Sequence, residues 1–208
     1  MLMTYSERAK KKFDAMSSSC TPVLLCLASS SPRRRKILEQ VGVPFRIHAP
    51  CVEEVRFVSD PIRTVSVNAQ AKAEVAHECF PDGAIVAADT VLEFEGRCIG
   101  KPASLDEARK LMAMFSGKVH TVLTGLALWA SGVEVIVHVE TSTVQFRKLD
   151  AKDIEAYLYA VNPLDKAGGY DIDQCSEIII DSFQGSRTNV MGLPIEVVMP
   201  WLNQQKII

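Results

Sequence analysis

The sequence predicts an α/β fold with a mixed sheet, and three patterns predict it. Two continuous apolar runs of strand length, 23–28 (VLLCLA) and 84–88 (AIVAA), are separated by helical patterns, the alternation of an α/β chain. Two longer strand-like segments, 119–129 and 133–146, meet across a Ser131-Gly132 turn and add a hairpin to that frame. No internal repeat or low-complexity linker interrupts the series.

In chain order, the first apolar run reads as a buried strand that ends at Ser29, Ser30 and Ser31. Pro32 has its φ preset for a first helical position, and Ser31 before it is a natural N-cap. The helix therefore aims free N–H groups and its positive dipole end above the strand. Arg33, Arg34 and Arg35 add guanidinium forks that match phosphate oxygens. A solvated basic first turn is the alternative, but cations there oppose the dipole, which favours an anion ligand. Gly42 is a C-cap candidate, and 45–48 forms a short strand before the polar pair Glu53 and Glu54. Val65, Ala69, Ala73 and Ala76 lie at helical spacing in a helix over 62–79, which Pro81-Asp82-Gly83 breaks. The strand over 84–88 ends in Asp89-Thr90, and 91–94 with 97–99 forms a hairpin around Glu95-Gly96. Ser104 and Glu107 make a capping box for a helix ending near Phe115. After the two long strands come a helix over 150–159, a Gly-rich loop over 163–174 and a last buried strand over 178–183. Gly192-Leu193-Pro194 then leads into an amphipathic closing helix.

Composition narrows the function. A net charge of −2 argues against general affinity for nucleic acid or acidic membranes, so anion binding must come from local clusters. The chain has no GxxxxGK[ST], no GxGxxG after a strand, no HExxH and no CxxC, which takes most of the support from kinase, GTPase, dinucleotide and common zinc readings. Its six scattered cysteines read as reduced thiols of a cytoplasmic protein, with Cys26 and Cys79 as small core residues. No apolar run approaches membrane-spanning length, and 1–22 lacks the apolar centre of a secretory signal. That segment reads as a flexible extension, and 23–208 as a single α/β domain.

The remaining polar residues carry the chemistry. Asp89 follows an apolar strand, where open α/β sheets place their ligand crevice; it serves a divalent ion or a water proton there, or merely closes an Asx-type turn. Lys101 follows the hairpin closely enough to reach the same crevice. Lys72, alone in an alanine-rich helix, reads in isolation as a snorkelling surface residue. Asp165-Lys166-Ala-Gly-Gly-Tyr170 sets charges beside paired glycines, either a plain loop or backbone that approaches a ligand. Together, cations for phosphates and at least Glu54 and Asp89 for a metal fit attack of water on phosphorus.

Those motifs resemble the Maf (septum formation inhibitor-like) nucleoside triphosphate pyrophosphatases. The LAS-x-SPRR signature spans 27–34, and the ADT and KP elements are 88–90 and 101–102. SG-x-x-H-x-V-x-TG spans 116–125, DKAGGY spans 165–170 and GLP spans 192–194. The resemblance implies a strongly bent mixed sheet whose flanking helices form two lobes around a long cleft, similar to inosine triphosphatases. It implies that Ser29, Arg33 and Arg34 hold the triphosphate. Glu54, Lys72, Asp89 and Lys101 then complete the catalytic cleft, with Asp89 the general base. It also implies a divalent cation, Mg²⁺ or Mn²⁺, on Asp89 and Glu54, and is compatible with a homodimer.

Three positions separate the family's subgroups. A dTTP/UTP subgroup has Arg, Thr and Gln, and a 7-methyl-GTP subgroup has Trp, Gln and Glu. This chain has Arg33, Thr90 and Asp173, with Gln174 beside the last. The expectation is therefore a nucleotide-pool-sanitising dTTP/UTP pyrophosphatase that binds no nucleic acid stably and no membrane. The alternatives are a 7-methyl-GTP pyrophosphatase or a non-catalytic, nucleotide-sensing regulator of cell division.

Overall fold

The opening apolar run becomes strand β1 (Leu25–Ala28), all four residues buried. Ser31 caps helix α1 (Pro32–Gln40) by accepting from the Arg34 N–H, as Pro32 at the first position predicts. The structure is a computed structural model that describes residues 24–130 and 132–208. The expected 1–22 extension, Cys20, Val23 and Ser131 lie outside the described residues.

Strand β2 (Phe45–His48) precedes helix α2 (Pro61–Cys79), which Asp60 caps. Strands β3 (Ala84–Phe94) and β4 (Arg97–Ile99) form the expected hairpin, with Glu95 and Gly96 both at positive φ, as a tight two-residue turn requires. Helix α3 (Leu105–Phe115) leads to β5 (Val119–Trp129) and β6 (Ile136–Phe146). Helix α4 (Ala151–Ala160), the one-turn α5 (Ser176–Ile179), β7 (Ile180–Gln184), α6 (Arg187–Met191) and α7 (Ile195–Gln204) complete the chain. The strands form one mixed, open sheet in the order β2-β1-β3-β5-β6-β7, with β4 also on β3. Only β1 pairs in parallel, with β2 and β3. The remaining pairs are antiparallel.

Alternation along the strands sorts the core onto two faces. Leu25, Leu27, Val86, Leu126 and Phe146 pack with Leu38 of α1, Phe115 of α3, Tyr157 of α4 and Trp201 of α7. On the other face, Cys26, Ile85, Ala87 and Ala127 meet Ala69, Ala73 and Ala76 of α2. Small residues on both sides let this helix lie close to the sheet. Contact is tightest at Gly125, where a built Cβ would stand 2.5 Å from the Val65 carbonyl oxygen.

Several expectations change. Asp89 and Thr90 do not end a strand: β3 continues through them to Phe94, because β5 pairs with it from Ile85 to Glu93. The last strand is not buried; residues 178–179 belong to α5, and β7 exposes all but Ile180. The box at α3 is offset, since Glu107 accepts from Ala103 N while Ser104 accepts from Glu107 N. Cys26 is buried, as expected, but Cys79 is exposed at the end of α2.

Gly125→Ala forces either α2 or β5 to move, because the obstructing atoms are backbone. The expected cost is about 1–3 kcal/mol of unfolding free energy. A urea midpoint equal to that of the unaltered protein would show that α2 does not depend on this contact.

Candidate active site

A gap along one edge of β3 creates the site. The edge opposite β5 is paired with β1 at Ala84–Ala87 and with β4 at Leu92–Phe94, and neither strand reaches the residues between. A cleft of about 590 Å³ opens there. Ser29, Arg33, Arg34, Glu54, Lys72, Asp89, Thr90 and Lys101 all line it. Consecutive strand residues point to opposite faces, so Asp89 turns towards α2 and Thr90 towards α1 and α6.

On the α2 side, Lys72 Nζ bridges the two carboxylates, 2.8 Å from Asp89 Oδ1 and 2.6 Å from Glu54 Oε1. Asn68, one turn earlier, donates through Nδ2 to Asp89 Oδ2 at 3.0 Å and to the Val55 carbonyl at 2.9 Å. Its Oδ1 accepts from Val55 N at 2.9 Å, which ties the loop carrying Glu54 to the helix. Lys72 is therefore buried between acids rather than snorkelling. Asp89 is buried, whereas Glu54 is half-exposed. Burial opposes ionisation of Glu54, but Lys72, with Lys101 and Arg34 beyond, outweighs it and holds this carboxyl below its ordinary range.

On the α1 side the site is a set of donors. Arg34 Nε donates to the Gly192 carbonyl at 2.7 Å, Nη1 to Ser29 Oγ at 3.1 Å and Nη2 to Thr90 Oγ1 at 3.0 Å. A guanidinium carries five N–H groups, so one remains on each terminal nitrogen. Ser29 Oγ also accepts from Ser31 N at 3.2 Å, and its own O–H has no acceptor among the described residues. Donors left over in a cleft suit an anion. Burial lowers the Arg34 pKa to about 10, despite nearby Asp89, so it stays charged at neutral pH. Arg33 reaches the Asp165 carbonyl at 3.4 Å, and Lys101 is exposed on the rim.

Two expected residues stay off the cleft lining. Arg35 Nε donates instead to Glu39 Oε1 at 2.7 Å along α1. The other is Asp173. Its Oδ1 accepts from Arg187 Nε at 2.9 Å, at the start of α6. The residues missed in sequence are Asn68, Thr124, Asn189 and the Gly192 carbonyl. Asn68 lies four positions before Lys72, a spacing that puts both on one helix face. Asn189 sits in α6, which the sequence pattern did not reveal.

Comparison with known proteins now identifies the lineage. A family model described as Maf-like protein matches residues 24–205. The chain belongs to the Maf family. It is 40% identical to a dTTP/UTP pyrophosphatase of Akkermansia muciniphila over 184 residues, 88% of this chain and 95% of that protein. A protein of the same name from Symbiobacterium thermophilum is 39% identical, with 86% and 93% covered. Among solved structures, a Ham1 protein of Staphylococcus aureus superposes with a TM-score of 0.53 at 15% identity, over 87% of this chain and 98% of that one. A HAM1 protein from Coxiella burnetii also gives 0.53, at 14% identity, with 88% and 99% covered. These last likenesses concern the fold alone, and they match the inosine-triphosphatase-like architecture expected from the sequence.

The donor set of this Maf protein bears on a metal. Among the described residues no group of three or more His, Cys, Asp or Glu is placed to hold an ion. Two carboxylates, one half-exposed, nevertheless suit Mg²⁺ when substrate phosphates complete its shell, because this ion is commonly held by one or two carboxylates plus phosphates.

The histidine of the 116–125 motif has a structural role in this Maf protein. His120 Nε2 lies 2.8 Å from the Tyr170 hydroxyl, inside an aromatic cluster with Phe94, Phe115 and Phe146. It thereby anchors the end of the DKAGGY loop, whose Asp165 and Ala167 line the cleft. Burial lowers the His120 pKa to about 3, so the folded protein keeps it neutral. The unfolded chain binds a proton there below about 6.5 while the folded chain does not, so stability falls as pH drops through that value. The expected loss between pH 7 and pH 5 is about 2 kcal/mol from this residue. Urea unfolding at both values checks it, and His120→Gln should lack that component; an unchanged slope would remove His120 from the account.

Proposed function

We propose that this Maf-family protein is an enzyme that hydrolyses dTTP and UTP to the monophosphate and pyrophosphate. One observation carries the reading: the cleft divides into an arginine–serine wall and a carboxylate wall across adjacent residues of β3. The names of relatives near 40% identity supply the reaction and the pyrimidine substrates.

Arg34, Ser29 and Arg33 bind the triphosphate oxygens and neutralise charge that develops on the departing pyrophosphate. Lys101 at the rim adds to that field. Lys72 and Asn68 fix both oxygens of Asp89, which takes the proton from water as the water oxygen bonds to the α-phosphorus. The bond from that phosphorus to the bridging oxygen breaks, and pyrophosphate leaves with the electron pair. Asp89 and Glu54 would hold the divalent cation, Mg²⁺ or Mn²⁺, which polarises the α-phosphate and lowers the pKa of water. The proposed setting is a single α/β domain, homodimeric and cytoplasmic; among the described residues no helix is long and apolar enough to cross a membrane.

Purified protein with dTTP, UTP and Mg²⁺ should release pyrophosphate, and release of inorganic phosphate alone would refute the reaction. Asp89→Asn should lower kcat by about 10²–10⁴ while nucleotide binding persists. Near-normal turnover would remove Asp89 from the base role. Because Arg187 occupies Asp173, Asp173→Gln is expected to leave the ratio of kcat/KM for UTP and 7-methyl-GTP unchanged. A rise in that ratio would restore Asp173 to base selection.

A further inference from the structure

We infer that Thr124 is a positioning residue for the phosphate-binding arginine, acting through Thr90 from behind the cleft. The inference rests on the proposed anion chemistry of Arg34 and adds a residue that does not touch the ligand. Thr124 faces Thr90 across the β3–β5 ladder, and the two hydroxyl oxygens are 3.0 Å apart. Thr124 is fully buried, and its Oγ1 also lies 3.0 Å from the Asn189 carbonyl oxygen.

Counting protons gives this chain a direction. A hydroxyl has one hydrogen, and a carbonyl oxygen only accepts. The hydrogen of Thr124 is therefore spent on Asn189, and Thr124 offers Thr90 only lone pairs. Thr90 must donate to Thr124, so it turns lone pairs towards Arg34 Nη2, the donor 3.0 Å away. The order is Arg34 to Thr90 to Thr124 to the Asn189 carbonyl. Turning the Thr124 hydrogen back to Thr90 would leave the Asn189 carbonyl facing a lone pair and would press the Thr90 hydrogen against that of Arg34.

The far end of the chain is held in turn. The Asn189 side chain is buried and donates to Ser142 Oγ at 2.9 Å and to the Val122 carbonyl at 3.2 Å. Ser142 donates to the Ser186 carbonyl at 3.0 Å, ahead of α6. Arg34 meets the same segment again through Nε and the Gly192 carbonyl. Its fork is thus clamped at three nitrogens, and the acceptors at Nε and Nη2 have fixed polarity. Preorganised donors of this kind need no rearrangement when charge arrives.

Thr124→Val keeps the shape and removes the hydroxyl, whereas Thr124→Ser keeps the hydroxyl and removes the methyl. With valine, the Thr90 hydroxyl loses its acceptor and is free to rotate away from the arrangement that Arg34 needs. The expected result is about a tenfold loss in affinity for inorganic pyrophosphate, measured by calorimetry, and a similar loss in kcat/KM for dTTP. Thr124→Ser should restore most of both. In an Arg34→Ala background, Thr124→Val should have no further effect, since the two act in one chain. Equal losses for valine and serine would assign Thr124 to packing and overturn the inference, as would a full valine effect without Arg34, or no valine effect. Wild-type protein that fails to bind pyrophosphate would overturn it too. Wild-type protein that binds pyrophosphate but does not hydrolyse dTTP would refute the proposed reaction instead, and the valine–serine comparison of pyrophosphate affinity would still decide the role of Thr124.

Discussion

Helix α2 approaches the sheet as closely as it does because position 125 has no side chain. Gly125 pairs with Asp89 in the β3–β5 ladder, so the point of closest approach is beside the buried carboxylate. Val65 rests there, and Asn68 and Lys72 follow at one-turn intervals on the same helix. The alanines at 69, 73 and 76 keep the rest of the helix at that height. A bulkier interface would lift Lys72 away from Asp89, and a buried acid without its partner is costly. Helix packing and site assembly are thus one constraint.

A second constraint is the short length of β1. It stops at Ala28, where the serine turn begins, while β3 continues for seven more residues. The uncovered stretch of β3 before β4 gives the cleft its floor, and α1 starts at its edge. Both the strand ending and the helix start come from Ser29–Pro32. One short sequence therefore opens the cleft and supplies the first donors that face it.

Polarity within the cleft follows from strand alternation. Asp89 and Thr90 are neighbours in sequence, yet one gathers a lysine and an asparagine and the other an arginine and a threonine. Neighbouring residues on a strand always diverge in this way. Acid and cation functions thereby stay separate at one place, and Lys72 is the cation admitted to the acidic wall.

Much of this was legible in the sequence where the cause is local. The Ser31–Pro32 helix start and the Glu95-Gly96 turn depend on residues within a few positions of one another, and the structure bears them out. The family motifs likewise pointed to Ser29, Arg34, Lys72 and Asp89 before their contacts were known. What the sequence did not determine depends on distant partners. Asp89 looked like the end of a strand because the apolar run stops at Ala88; β5 carries the strand onward, and no local pattern encodes that pairing. Lys72 looked exposed in an alanine-rich helix until Glu54 and Asp89 were brought to it. Asp173 stood in the right place in the chain for base reading, yet Arg187, fourteen residues on, claims it. Hydrogen-bond direction from Arg34 to Asn189 likewise exists only after four separate segments meet. Residue chemistry and local turns are fixed by covalent neighbours, whereas burial, pairing and proton direction arise only when the chain closes on itself.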